Sequence, residues 1–170
     1  HTFTFANAIM QGLRRAPSVE LLRGVFDAAM SLYLDRFLNI PAARIPSANG
    51  QVAQPDEVLA QFPALLNRQQ QVNEAGELVT RFLGSGGRPN DLLAQLGSLL
   101  LREDRDFHTI QCVEAAFNLF GLLRETEEGG HALIAAARYL AAHSPTVRAQ
   151  GQTYQIAARL HRGEHLFEED

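Results

Sequence analysis

The sequence predicts an all-α protein, a compact bundle of about seven helices with no sheet, and three observations predict it. Apolar residues recur at spacings of three and four along most of the chain. No stretch alternates apolar and polar residues for long enough to make a strand, and proline and glycine fall mostly between the periodic stretches. With 170 residues and 46% hydrophobic content, the chain can bury a core without help from disulfides or a structural metal. It reads as one all-α domain over 1–170, with a second possibility that it is the C-terminal part of a longer helical protein.

Phe5, Ala8, Ile9, Gly12 and Leu13 form one stripe of a first helix, which Pro17 ends. Ser18 is an N-cap for the second, in which Leu21, Leu22, Val25, Phe26, Ala29, Leu32, Tyr33 and Phe37 cover so wide a face that the helix is expected at the centre of the bundle. The segment 40–56 carries Pro41, Pro46, Asn49-Gly50 and Pro55, turn formers spread over a long wrapping loop that is expected to move. From Asp56 to Leu83 the pattern is helical again, with a kink or break near Phe62 caused by Pro63, and an exposed polar middle at 67–71.

The glycines at 84–87 end that region, and Asn90 caps a leucine-rich helix running through Leu101. Another helix spans about Asp104 to Arg124. A turn is expected at 126–130, a short alanine-rich helix from His131 to Ala142, and a last helix opened by Ser144-Pro145 and running to about Arg162. No internal repeat of solenoid period is present, which favours a bundle.

Composition excludes several chemistries. All fifteen basic residues are arginine, so Schiff-base lysines, a phosphate-loop lysine and a lysine general base are ruled out. The net charge of -4 is spread along the chain, which argues against nucleic-acid binding and provides no basic face for anionic lipid. No apolar run is long enough to span a membrane, and one cysteine allows no internal disulfide; a soluble protein of the reducing cytoplasm is the expectation.

The candidate site is the helix around 102–124, where His108, the only cysteine, Cys112, and Glu114 interrupt apolar sequence. Polar groups in such a setting are costly unless paired, so they form either a structural network or a site. His108 and Cys112 lie one turn apart on a shared face and are candidate metal ligands, although ordinary burial of both is the common alternative. Glu114 falls about 120° away, and a structural ion pair with an arginine of a neighbouring helix is its plain reading. His161-Arg-Gly-Glu-His165 matches an inverted zinc-peptidase motif by letter, but Gly163 weakens the helix it needs, so the match carries no peptidase reading. His131 and His143 bracket one helix and read as terminal residues.

Three blocks carry a resemblance: His-Thr-Phe-Thr-Phe-Ala-Asn-Ala at 1–8, Asp-Phe-His-Thr-Ile-Gln-Cys-Val-Glu-Ala-Ala at 106–116, and Ala-Ala-Ala-Arg-Tyr-Leu-Ala-Ala-His-Ser-Pro at 135–145. Together they resemble the C-terminal half of questin-oxidase-like helical proteins and of related bacterial helical proteins that can carry a Rieske domain. The resemblance implies a helical, oxygenase-type enzyme, acting on an aromatic polyketide in the fungal members, and a preceding segment that this chain lacks. His1, His108 and Glu114 are the positions that carry over.

The expectation is therefore a redox-associated bacterial domain in which His1, His108 and Glu114 converge on a pocket for a small organic ligand or a metal. No cofactor is specified by these motifs. The alternative is a non-enzymatic scaffold that docks a protein partner, the missing segment or a second copy through an exposed apolar face.

Overall fold

The structure is a computed structural model that describes residues 1–38, 41–47, 53–124 and 126–165. Among the described residues there are seven helices of thirteen or more residues: α1 (Thr2–Arg15), α2 (Val19–Leu38), α5 (Val72–Gly84), α6 (Pro89–Arg102), α7 (Phe107–Leu122), α8 (Glu127–Ala142) and α9 (Ala149–His161). Two short ones, α3 (Pro55–Leu59) and α4 (Phe62–Leu65), complete the set, and no strand occurs among the described residues. None of these helices is long and apolar enough to cross a membrane. The Asn49-Gly50 turn lies outside the described residues.

The core is built on α8, which packs against α5 on one side and α7 on the other, with α6 closing the group. Its inward face is Ala132, Leu133, Ala136, Ala137, Leu140 and Ala141, all buried at helical spacing. Alanine keeps that face narrow, so the neighbouring helices approach closely and their larger side chains, Phe82 of α5 and Phe120 of α7 among them, fill the space. Burying each such side chain contributes about 2 kcal/mol.

Several boundaries differ from the sequence expectation, each for a local reason. Pro63 splits the third region as expected, and the chain breaks further through Gln70, whose φ of 61° ends any continuation before α5. α8 begins at Glu127 instead of His131, because Glu127 and Glu128 suit the positive end of a helix. Gly129 is helical there for a packing reason: a Cβ on it would sit 2.5 Å from the Leu123 carbonyl oxygen. α6 starts at Pro89, in the first helical position, so Asn90 is inside the helix and is not its cap. The last helix starts at Ala149 and not at Pro145, after Arg148 in the left-handed region at φ 61°.

The largest correction concerns α2. Ser18 does cap it, its hydroxyl accepting from the Leu21 N–H at 3.2 Å, but the helix is peripheral and only Gly24 on it is buried. α2 packs on α1, where Ile9 nests against Gly24 so closely that a Cβ would meet it at 2.4 Å. α1 in turn packs on α7. The apolar face that suggested a central helix points outward.

Candidate functional site

Where α1 begins, it crosses the start of α7. Asp106 fixes that start: its carboxylate accepts from the Thr109 N–H at 2.8 Å and from the Thr109 hydroxyl at 3.1 Å, which directs His108 out of the first turn toward α1. The rings of His1 and His108 meet edge to face with centroids 4.8 Å apart, and Phe107 lies against His108 at 3.9 Å. Two imidazoles 107 positions apart in the chain are thus in contact, with His108 half-buried and His1 exposed at the rim.

Behind them is a cavity of about 750 Å³, within the range of roughly 300–1,000 Å³ typical of small-molecule sites. α7 contributes His108 and Cys112, α1 contributes Phe3 with His1 just before it, and α8 contributes Arg138 and Tyr139. Burial pushes the Cys112 thiol up, and burial, with smaller contributions from Cys112 and Asp106, does the same to the Tyr139 hydroxyl, so both groups are neutral at ordinary pH. A neutral thiol is a poor metal ligand. Among the described residues no three His, Cys, Asp or Glu side chains gather around a point where an ion could sit, so the His108 and Cys112 pair lacks the further donors a metal requires.

Arg138 is the charged group of the cavity. Its Nη2 donates to the Arg44 carbonyl oxygen at 2.8 Å, while Nε is buried without a hydrogen-bond acceptor. No carboxylate among the described residues forms an ion pair with it. Gly76 of α5 makes room for this guanidinium, since a Cβ at that position would lie 2.7 Å from Nε.

Glu114 does not join His108. It lies on the other side of the α1–α7 seam, where it accepts from Asn7 Nδ2 at 2.9 Å and from Asn118 Nδ2, and borders a separate groove of about 850 Å³ between α1, α2 and α7. Two corrections follow: Glu114 is exposed and is held by amides instead of an arginine, and the three expected residues divide between two cavities, with only His1 bordering both. The reason is the helix period, which turns residue 114 about 120° from residue 108.

The remaining candidates have structural partners. His143 Nδ1 is 2.9 Å from the Tyr139 carbonyl oxygen and its ring stacks on Tyr139 at 4.4 Å. Glu164 of the zinc-peptidase-like motif pairs with Arg159 and Arg162, at 3.0 and 2.7 Å. Arg138 and Tyr139 were the residues missed by sequence reasoning. Their signal was the same one that singled out His108, namely polar side chains inside an otherwise apolar stretch of helix.

No family model, curated protein or solved structure matches the chain.

Proposed function

We propose that the cavity between α1, α5, α7 and α8 binds a small planar organic anion, with its acidic oxygen on Arg138 and its ring against His1, His108 and Tyr139. The observation that carries this reading is a guanidinium with no carboxylate partner among the described residues, in a recess edged by flat rings. A part-buried cation in that state gains a charge-assisted hydrogen bond from an acidic oxygen, and flat rings favour a flat ligand. His108 is the group placed to accept or donate a proton at the ligand. Glu114 acts at one remove, as a positioning residue that holds α1 on α7 through Asn7. An oxygenase-type reaction, as the resemblance implies, would take its oxidant and any cofactor from outside these residues.

The test is a fluorescence titration with 2-naphthoate, which the absence of tryptophan leaves unobscured. Saturable one-to-one binding is expected, with Kd in about the micromolar to millimolar range. Arg138→Gln should weaken it by about tenfold or more, as should His108→Ala, while binding of neutral 2-methylnaphthalene responds to His108→Ala alone. No saturable binding, or equal affinity in the Arg138→Gln variant, overturns the reading.

A further inference from the structure

We propose that the outward face of α2 is a self-association surface, occupied by the α2 of a second copy running antiparallel to it. The face is defined by helical geometry. Leu21, Gly24 and Ala28 turn toward α1, and at about 100° per residue the opposite side presents Val19, Leu22, Phe26, Met30, Tyr33 and Phe37. These six are 73, 52, 76, 58, 51 and 63% exposed. Val25, Leu32, Leu34 and Leu38 on its flanks are 46, 65, 52 and 78% exposed, so the apolar surface runs the length of the helix.

A second copy fits this face because four of the six stripe residues map onto one another when the direction is reversed. Its steps of three and four residues are those of a coiled-coil seam, and reversing the direction about position 28 sets Val19 opposite Phe37, Leu22 opposite Leu34 and Phe26 opposite Met30. The last pair places a thioether against an aromatic ring, a favourable contact. No acidic residue lies in the stripe. Arg23 at its edge falls opposite Tyr33, so the two-fold arrangement brings a cation to a ring and sets no like charges against each other.

Sedimentation velocity of the 170-residue chain between about 1 and about 200 μM should show the 18.7 kDa species giving way to one of twice the mass. Phe26→Glu should weaken that association by about a hundredfold with unchanged far-ultraviolet circular dichroism, because Phe26 is exposed in the isolated chain. For the register, Phe26→Cys mixed with Met30→Cys should give an intermolecular disulfide on mild oxidation that neither variant gives alone; the native Cys112 is buried and does not compete. A strictly monomeric chain at the highest concentration, a Phe26→Glu variant that associates like the parent, or cross-linking of Phe26→Cys with itself overturns the proposal. Binding of 2-naphthoate is measured on the same samples, so the cavity and the surface succeed or fail separately.

Discussion

A single hydrogen atom in place of a methyl group decides how Arg138 is held. Gly76 is buried on α5, and the guanidinium of α8 occupies the volume a side chain would take. Gly76→Ala is expected to displace Arg138 from the cavity while improving intrinsic helix propensity, so stability should change little and affinity for 2-naphthoate should fall by about tenfold. Thermal unfolding and the fluorescence titration on one preparation check both halves. Neither Gly76 nor Arg138 stands out in the sequence as a pair, because their contact joins residues 62 positions apart. His108, by contrast, was legible as a polar residue in apolar surroundings. What it faces was not.

Helix ends in this protein are held by side chains from other segments as much as by their own. α9 has no buried residue, and its N-cap, Arg148, makes no side-chain cap hydrogen bond. Asp104, 45 positions earlier, accepts from the Ala149 and Gln150 N–H groups at 2.7 and 2.8 Å and supplies the missing cap. Asp104→Ala is expected to cost about 1 kcal/mol locally. Hydrogen exchange should show it as faster exchange in α9, with α5, α7 and α8 unchanged, since α9 is not part of the core. Sequence reasoning located α9 through its periodicity but opened it four residues early at Pro145, because a cap contributed from residue 104 leaves no local trace. α7 carries its cap locally, since Asp106 and Thr109 are three residues apart, yet sequence reasoning opened this helix near Asp104.

Across the whole molecule, one buried carboxylate ties three distant stretches together. Glu103 has a fully buried side chain and accepts from Arg102 Nε at 2.9 Å, from Arg148 Nη2 at 2.8 Å and from both the N–H and the hydroxyl of Thr146 at 2.9 Å. Arg148 extends the tie to Asn67, and Arg105 reaches the His143 carbonyl oxygen at 2.7 Å. Burial alone would raise the Glu103 carboxyl; the hydrogen bonds from Arg148 and Thr146, with the Arg148 charge, outweigh it and hold the group at about 2. A carboxyl whose folded value lies below its unfolded one adds stability above the unfolded value, and that stability is lost as pH falls toward about 2. Glu103→Gln is therefore expected to lower the urea midpoint at pH 7 by the equivalent of about 2 kcal/mol, and to bring the parent and variant midpoints together as the pH is lowered toward about 2. Midpoints that remain equally far apart across that range would count against the assignment. A single buried carboxylate surrounded by donors is invisible in a run that reads Arg-Glu-Asp-Arg-Asp, where every residue looks solvated.

The sequence by itself determined that the chain is helical and roughly where most helices lie, because period, proline, glycine and nearby caps act within a few residues. It also marked His108 as a residue to explain. Only the tertiary structure decided that α2 turns its apolar face outward, that His1 meets His108, and that Arg138 enters the cavity. Those outcomes depend on which helix faces which, and the pairing of helix faces is set by contacts between residues far apart in the chain.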